Sequence, residues 1–321
     1  MAGKPRILVT RKLTKAVEDR AQRDYDAELN EHDTLWSSEE ILRRAEGKDA
    51  LLVCLTEKFP ADVIARLPAS VRVLSTYSVG TDHIDSAAAK ARGIRVTNTP
   101  DAVTISTAEI AMLLILGSAR RAPEGERLLK EHQWGGWQPL QLLGFRLDGK
   151  RLGIYGMGKI GQALAKRARA FDMEIHYHNR RRLPADEEQG AIFHDTLDGL
   201  LAHSDVLSVN APSTPETRGV INADTLAKLP RGAIVVNTAR GDLVDDDALI
   251  AALKSGHVAY AGLDVYKGEP NIHEAYYGIE NAFLLPHMGT SAVEARDEMG
   301  FAALDNIDAV LAGREPPYPV A

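Results

Sequence analysis

Short apolar runs alternate with amphipathic stretches along the first 100 residues. The apolar runs have the length and composition of buried strands and cover residues 6–10, 50–55, 71–75 and 94–97. The stretches between them carry apolar residues at helical spacing, as in residues 38–45 and 61–67. Alternation of strands and helices predicts a parallel β-sheet covered by helices.

A second alternation begins after a break at residues 98–100. Residues 107–121 contain a continuous apolar run that predicts a buried helix, and residues 130–147 form an irregular excursion. Further strands are predicted at 151–155, 174–178, 206–210, 233–237, 260–264 and 282–285, with helices at 161–170 and 246–254. The chain after His287 has one helical pattern, 291–311, and no strand set of its own, so it is expected to return to the first domain.

The predicted fold is therefore α/β, with two doubly wound parallel-sheet domains and a cleft between them. The second domain, residues 100–287, is inserted into the first, which is discontinuous and comprises residues 1–99 and 288–321. We expect the inserted domain to bind a dinucleotide and the first to be the substrate domain.

Composition and charge favour a folded protein that binds neither nucleic acid nor an anionic membrane. The 321 residues are 45% hydrophobic and 26% charged, with a net charge of −7, which allows a large core and gives no reason to expect a nucleic acid or an anionic membrane as partner. No long apolar segment follows the basic start, so a cytoplasmic protein is expected. The single cysteine, Cys54, lies in an apolar run and is expected to be a buried, inert thiol.

A dinucleotide fingerprint opens the second domain. Gly156, Met157, Gly158, Lys159, Ile160 and Gly161 follow a predicted strand and begin a predicted helix. The first glycine permits the tight turn, the second lets the backbone approach a pyrophosphate, and the third allows close packing of helix on strand. The helix N-terminus attracts the anion.

The end of the second strand of this domain indicates which nicotinamide is bound. An acidic residue at this point would bind the ribose 2′-hydroxyl of NAD, but the chain has Asn179, followed by Arg180, Arg181 and Arg182. Asparagine removes the repulsion of a 2′-phosphate, and arginine offers fork-shaped donors to it. The expected cofactor is NADP (as NADPH), with NAD the less favoured alternative.

Three stretches in the second half supply candidate catalytic groups at the ends of predicted strands. They are residues 237–241, 262–270 and 285–290, and they contribute Arg240, Glu269 and His287. Arg240 can bind a carboxylate and polarise an adjacent carbonyl. His287 can donate or accept a proton near neutral pH, and Glu269 can orient the imidazole and favour its charged form.

These motifs, in this order, resemble the D-isomer-specific 2-hydroxyacid dehydrogenase family over essentially the whole chain. Residues 77–85 are similar to the family's substrate loop, and residues 137–140 and 268–271 are similar to its branch of glycerate dehydrogenases and glyoxylate/hydroxypyruvate reductases. The resemblance implies reduction of glyoxylate and hydroxypyruvate to glycolate and D-glycerate. The chain departs from the NAD-using members at Asn179, where they carry an acid, so NADPH is the expected hydride donor.

The resemblance also implies roles for further residues. Backbone N–H groups of Val79 and Gly80 are expected to bind the substrate carboxylate, and Asp264 to contact the nicotinamide carboxamide. The remaining expected cofactor contacts are Thr107, Ala211, Pro212, Thr238, His287 and Gly289. Other histidines do not have metal-ligand spacing, and no metal is expected.

The excursion at 130–147 predicts a homodimer. It contains Trp134 and Trp137 with little local core to join, and tryptophan is enriched at interfaces. The family resemblance implies that Trp137 reaches the partner subunit's active site and contributes to substrate binding.

Three alternatives stay open. One is an NAD-dependent glycerate dehydrogenase. Formate dehydrogenase chemistry on the same fold is disfavoured, because those enzymes resemble this chain but carry glutamine where Glu269 stands. A dinucleotide-sensing binding protein would share the fold. The intact set of Arg240, Glu269 and His287 and the lack of a disordered interaction tail argue against it.

Overall fold

The computed structural model describes residues 3–320 of the chain. These residues form two compact units. Unit 1 comprises the residues up to Val103 together with those from Ser291 onward, and unit 2 runs from Thr104 to Thr290. The chain therefore leaves unit 1, completes unit 2, and returns to unit 1.

Unit 1 begins with the predicted alternation of strands and helices. Its elements up to the start of unit 2 are β1 (Arg6–Val9), α1 (Lys15–Asp24), β2 (Asp26–Glu28), α2 (Ser38–Arg44), β3 (Ala50–Val53), α3 (Ala61–Arg66), β4 (Val73–Thr76), α4 (Ser86–Ala91) and β5 (Arg95–Thr97). The four predicted strands and the two predicted helices of this region are confirmed, while the three-residue strand β2 lies outside any predicted run.

Unit 2 has a longer sheet with helices on both faces. Its elements are α5 (Thr104–Ala119), α6 (Ala122–Lys130), β6 (Arg151–Tyr155), α7 (Lys159–Arg169), β7 (Glu174–His178), α8 (Ala185–Glu188), β8 (Ile192–Phe193), α9 (Leu197–Leu201), β9 (Val206–Val209), α10 (Ala223–Leu226), β10 (Ala233–Asn237), α11 (Asp246–Lys254), β11 (Val258–Leu263) and β12 (Ala282–Leu284). Two 3₁₀ helices, Gly241–Leu243 and Glu274–Gly278, lie in the loops that follow β10 and β11.

The chain then returns to unit 1 through α12 (Val293–Leu311) and ends in β13 (Pro319–Val320). The segment has no sheet of its own, as expected, and the two-residue strand β13, which no predicted run covers, joins the sheet of unit 1 by pairing with β5. That pair is antiparallel, whereas the other pairs in both sheets are parallel. None of the helices within residues 3–320 is both long and apolar enough to span a lipid bilayer.

Both sheets are doubly wound. The strand order in unit 1 is β13-β5-β4-β3-β1-β2, and in unit 2 it is β12-β11-β10-β9-β6-β7-β8. In unit 2 the order reverses between β6 and β9, and ligands of such sheets bind beyond the carboxyl ends of the strands at this point. The fold therefore places the loop after β6 where a dinucleotide is expected.

The cores lie between the sheets and their helices. In unit 2 one face of the sheet packs against α5 and α7, and the opposite face packs against α9, α10 and α11. Helix α5 is apolar around its whole circumference, and ten of its residues are buried, which confirms the predicted buried helix. Unit 1 has a separate core beneath α2, α3 and α4.

Three imidazoles stack at the β7–β8 edge of unit 2. The ring of His176 lies 5.1 Å from that of His194 and 5.7 Å from that of His203, and the latter two are 5.0 Å apart. Burial lowers the pKa of His176, although its hydrogen bond to the Glu174 carboxylate opposes this, and burial also lowers the pKa of His194. Among the described residues, no group of His, Cys, Asp or Glu side chains is arranged to hold a metal ion.

This stack predicts loss of stability in mild acid. A histidine whose pKa is lower in the folded state stays neutral there, while the unfolded chain takes up a proton below about pH 6.5. We therefore expect the urea midpoint to fall between pH 7.5 and pH 5.5, and the fall to be smaller in His194→Gln. Exposed His32→Gln is the matched control. An unchanged pH dependence in His194→Gln would remove the stack as the cause.

Candidate active site

The glycine-rich loop follows β6, and close backbone contacts require two of its three glycines, Gly156 and Gly161. Gly156 has a φ of +95°, and a Cβ on it would lie 2.5 Å from the backbone nitrogen of Ala211. A Cβ on Gly161 would lie 2.8 Å from the carbonyl oxygen of Gly156, whereas one on Gly158 would meet open space. Gly158 occupies the N-cap position of α7, which has no side-chain capping hydrogen bond. The loop thus leaves room for a ligand beside an uncapped helix N-terminus, which attracts anions.

Asn179 closes this loop from the end of β7. Its Oδ1 accepts a hydrogen bond of 2.6 Å from the N–H of Met157, and its Nδ2 donates to the Met157 carbonyl at 3.4 Å. An aspartate would accept the N–H bond equally but could not donate. Asn179 therefore fixes the shape of the glycine-rich loop in addition to removing a negative charge.

The three consecutive arginines are not equivalent. Arg182 is held by Glu188, with Nε and Nη2 at 2.7 Å and 3.0 Å from its two carboxylate oxygens. Arg180 and Arg181 are exposed, and neither forms an ion pair with another residue in the range 3–320. Of the three arginines, Arg180 and Arg181, the two expected to contact the cofactor, are therefore available to a phosphate.

Two buried polar atoms lack a partner at the carboxyl edge of the unit 2 sheet. They are Oδ1 of Asn210, which follows β9, and Oγ1 of Thr238, which follows β10. Buried polar atoms are almost always hydrogen-bonded, so unpaired ones at a strand edge fit a bound ligand with polar groups. Together with the open space at Gly158, these atoms fit a dinucleotide that runs along this edge.

Asn237 shapes the turn that carries Arg240. Its side chain accepts from the N–H of Ala239 at 3.0 Å and donates to the carbonyl of Arg240 at 2.8 Å. The Arg240 guanidinium is half-buried and donates to the Ala239 carbonyl at 2.7 Å. A Cβ on Gly241 would lie 1.9 Å from the backbone of Tyr266, so only glycine lets the loops after β10 and β11 meet.

Glu269 and His287 form a hydrogen-bonded pair. Nδ1 of His287 lies 2.7 Å from Oε2 of Glu269, and the other carboxylate oxygen accepts from the N–H of Tyr266 at 2.8 Å. Burial raises the pKa of Glu269, but the hydrogen bond and charge of His287, the Tyr266 N–H and the charge of Arg240 outweigh it, so the pKa lies below its ordinary value. Glu269 is thus a carboxylate at neutral pH, and its bond to Nδ1 leaves Nε2 of His287 as the nitrogen for a substrate.

Asp264 holds the backbone beside His287. His287 has a φ of +55°, in the left-handed region that non-glycine residues adopt rarely. The next two N–H groups, of Met288 and Gly289, donate to the two carboxylate oxygens of Asp264 at 2.6 Å and 2.7 Å. Oγ1 of Thr107 donates to the Gly289 carbonyl at 3.2 Å. Burial raises the pKa of Asp264 above its ordinary value, and these two N–H bonds offset only part of that effect.

The loop after β4 in unit 1 presents two unused N–H groups. The Ser78 carbonyl accepts from the Thr99 N–H at 3.0 Å, and the Val79 carbonyl accepts from the Asn98 side chain at 2.8 Å. Because C=O and N–H point in opposite directions across a trans peptide, the N–H groups of Val79 and Gly80 point away from residues 98–99. Neither donates to another described residue. They can therefore receive an anion.

The predicted site residues fall into three groups in the structure. Unit 2 brings together Arg240, Glu269 and His287, with Asp264, Thr107 and Gly289 behind the histidine. It also gathers the glycine-rich loop, Asn179 and Ala211. Val79 and Gly80 lie in unit 1, and Trp137 is 83% exposed in a segment without helix or strand.

Sequence reasoning missed Asn210, Asn237 and Tyr266. Asn237 lies two residues before a turn N–H, the spacing of an Asx turn, so a signal was present. The Tyr266 hydroxyl lies within hydrogen-bond distance of the carbonyls of Leu263 and Leu285, at 3.0 Å and 2.9 Å, and so links the ends of β11 and β12. No local sequence pattern indicates this contact. The prediction of a buried thiol is confirmed only in part. Residue Cys54 is partly exposed, whereas burial of its sulfur raises the pKa of the thiol.

Known proteins resemble this chain over its whole length. Residues 112–289 match the family described as D-isomer specific 2-hydroxyacid dehydrogenase, NAD binding domain. A glycerate dehydrogenase from Hyphomicrobium methylovorum is 52% identical over 99% of this chain and 100% of its own, and a glyoxylate reductase from Thermococcus litoralis is 39% identical over 98% and 96%. The NADPH-dependent glyoxylate/hydroxypyruvate reductase from Sinorhizobium meliloti, solved with NADP and malonate, is 34% identical with a TM-score of 0.87 over 99% and 97%.

Proposed function

Because the chain belongs to the D-isomer-specific 2-hydroxyacid dehydrogenase family, we propose that it reduces the small 2-oxo acids glyoxylate and hydroxypyruvate to glycolate and D-glycerate with NADPH. The observation that carries the proposal is the 2.7 Å bond between Glu269 and His287, formed in the same unit as Arg240 and the glycine-rich loop. Proton transfer requires an imidazole oriented in this way, whereas binding of a dinucleotide alone does not.

His287 is the proposed general acid. Glu269 accepts from Nδ1, so Nε2 is left to donate a proton to the alkoxide that forms at the substrate carbonyl. Glu269 carries a negative charge at neutral pH, and its hydrogen bond with Nδ1 fixes the orientation of the imidazole. Asp264 is a positioning residue, because its bonds to the next two N–H groups fix the backbone of His287.

The substrate is proposed to bind through its carboxylate and its carbonyl. Arg240 offers a permanent charge to both, and the unused N–H groups of Val79 and Gly80 add neutral donors for the carboxylate. On this proposal unit 1 is the substrate domain, as expected for residues 1–99 and 288–321, and unit 2 is the dinucleotide domain, as expected for 100–287.

The cofactor is proposed to lie along the carboxyl edge of the unit 2 sheet. When bound, the nicotinamide supplies the hydride. The unpaired Thr238 and Asn210, the open space at Gly158, and the N-terminus of α7 support this placement. The other proposed contacts are Thr107, Met157, Lys159, Ile160, Gly161, Asn179, Arg180, Arg181, Ala211, Pro212, Asp264, His287 and Gly289.

Cofactor preference follows from the two unpaired arginines. We expect kcat/KM to be higher with NADPH than with NADH by roughly 10- to 150-fold, since a hydrogen bond to a charged group contributes about 1.5–3 kcal/mol. Arg180→Ala with Arg181→Ala is expected to lower kcat/KM for NADPH and to leave that for NADH nearly unchanged.

Arg182→Ala is the matched control for this preference. Its guanidinium is already bonded to Glu188, so its removal is expected to leave the ratio of the two cofactors unchanged. Equal kcat/KM values in the wild-type protein, or a preference for NADH, would contradict the assignment of NADPH.

A glycerate dehydrogenase is the second candidate, and the 52% identity to such an enzyme favours it. It uses the same couple of hydroxypyruvate and D-glycerate in the opposite direction, with His287 accepting the proton. A panel of kcat/KM values for glyoxylate, hydroxypyruvate, pyruvate and D-glycerate, each with both cofactors, separates the candidates. Higher values for D-glycerate with NAD than for either oxo acid with NADPH would favour the second.

The apolar surface of unit 2 predicts a homodimer. Leu129, Trp134, Trp137, Leu140 and Leu143 are 52–83% exposed and lie within 15 residues of one another along the chain. Scattered exposed apolar residues are normal, but a group of this kind marks an interface. We expect light scattering to give the mass of a dimer at micromolar concentration, and we propose that Trp137 reaches the partner's active site.

Trp134→Glu with Leu140→Glu tests this surface. Truncation of an interface anchor costs about 2 kcal/mol or more, so the dimer is expected to dissociate roughly 30-fold more readily. Leu35→Glu, which changes an apolar residue of 60% exposure in unit 1, is the control. A wild-type monomer at micromolar concentration would refute the dimer.

A further inference from the structure

A line of buried hydrogen bonds runs from His83 to the loop that contains Val79 and Gly80. Nε2 of His83 lies 2.9 Å from Oγ1 of Thr76, which lies 2.8 Å from Oγ of Ser78. Oγ of Ser78 lies 2.7 Å from the carbonyl oxygen of Gly80. His83, Thr76 and Ser78 are 7%, 0% and 5% exposed, so water is excluded from the two bonds among their side chains, while the third bond ends on the partly buried Gly80.

The direction of every bond in this line is fixed by its last acceptor. A carbonyl oxygen only accepts, so the Ser78 hydroxyl donates to Gly80. The Ser78 oxygen must then accept from Thr76, because each hydroxyl has one proton, and Thr76 must accept from His83. The line therefore requires a proton on Nε2 of His83, which both the Nε2–H tautomer and the imidazolium supply.

The hydrogen bonds from His83 through Ser78 hold the Gly80 carbonyl, which the contact between Asn98 and Val79 does not hold. Asn98 and Thr99 hold the carbonyls of Val79 and Ser78, which aims the N–H groups of Gly80 and Val79. Ser78 holds the next carbonyl, that of Gly80 itself. With three successive carbonyls held, the peptide planes on both sides of Gly80 cannot rotate, although glycine would otherwise permit it.

We propose that His83 is a positioning residue for substrate binding, acting through Thr76 and Ser78 to keep the N–H groups of Val79 and Gly80 aimed at the substrate carboxylate. This inference rests on the proposed function, because it assigns the two N–H groups to a 2-oxo acid. His83 itself touches neither substrate nor cofactor on this account, and its contribution is a donated hydrogen bond, not an exchanged proton.

Two substitutions of His83 separate the hydrogen bond from the volume of the side chain. His83→Gln keeps an N–H donor near the position of Nε2, whereas His83→Met has similar length and no donor. KM for glyoxylate is expected to rise about 3- to 10-fold in His83→Met, the effect of one net hydrogen bond, and to stay within about twofold of wild type in His83→Gln. In both, kcat and the Kd of NADPH measured by fluorescence are expected to stay within about twofold, because the loop lies in unit 1.

Ser78→Ala provides an independent readout that does not depend on the folding of His83→Met. It removes the last donor of the same line and is expected to raise KM by the same factor. The double variant His83→Met with Ser78→Ala is expected to match either single variant, because residues in one network are not additive. Exposed His32→Gln serves as the control for loss of a histidine.

Each result decides the matter. An unchanged KM in Ser78→Ala and His83→Met, a KM in His83→Gln as high as in His83→Met, or a loss confined to kcat would overturn the role of His83 while leaving the proposed function intact. A wild-type protein that consumes no NADPH with glyoxylate or hydroxypyruvate would overturn the proposed function, and this inference with it.

Discussion

His287→Ala is expected to reduce kcat for glyoxylate reduction by about 10²- to 10⁴-fold, the usual contribution of a positioned proton donor. The physical reason is the hydrogen bond that Nδ1 donates to Glu269, which fixes the imidazole and leaves Nε2 as the donor to the forming alkoxide. Alanine has no group that can replace it. Steady-state kinetics with saturating NADPH measures the effect, and the Kd of NADPH is expected to change little.

The control for this variant is His32→Ala, which removes an exposed histidine from unit 1. It is expected to keep wild-type kcat. If His287→Ala instead retained turnover close to that of the wild-type protein, another group would have to donate the proton, and the roles of both Glu269 and His287 would fall.

Arg240→Ala is expected to lower kcat/KM for 2-oxo acids by roughly 30- to 5,000-fold. Removal of one partner from a hydrogen-bonded charge pair costs about 2–5 kcal/mol, and here the lost partner binds the substrate carboxylate. KM should rise and kcat should also fall, because Arg240 is proposed to polarise the carbonyl as well. Arg240→Lys should restore only part of the loss, since an ammonium group cannot form the paired bonds of a guanidinium.

Arg231→Ala, which removes an exposed arginine from the same unit, is the control for the loss of positive charge. A change in KM alone for Arg240→Ala would limit Arg240 to anchoring the carboxylate. Kinetics within twofold of wild type would exclude it from substrate binding altogether.

Much of the fold could be predicted from local pattern, and the exceptions have a common cause. The helix at residues 246–254 was predicted with its observed bounds, because its apolar spacing and the acidic residues of its first turn are local signals. The two-residue strands β8 and β13 were missed. Each has only two residues, too few to show a local pattern, and is defined by its pairing with another strand: β8 with β7, and β13 with β5, which is more than 200 residues earlier in the chain.

The candidate site divides in the same way. The glycine-rich loop and the pair of Glu269 and His287 were anticipated from motifs, and the structure brings the pair together. The bonds from Asp264 to the backbone after His287 were not anticipated, because they join positions 24 and 25 residues apart. The capture of Arg182 by Glu188 was missed because a run of like charges does not reveal which member is neutralised.

The most direct test of the central claim is the fate of the hydrogen transferred to the substrate. The protein is incubated with glyoxylate and NADPH that carries deuterium at both positions of nicotinamide carbon 4, and the product is examined by NMR and mass spectrometry. The account predicts glycolate with one deuterium on carbon 2, in equal amount to the NADPH consumed. NADPH that binds without glycolate being formed, or glycolate without deuterium on carbon 2, would contradict it.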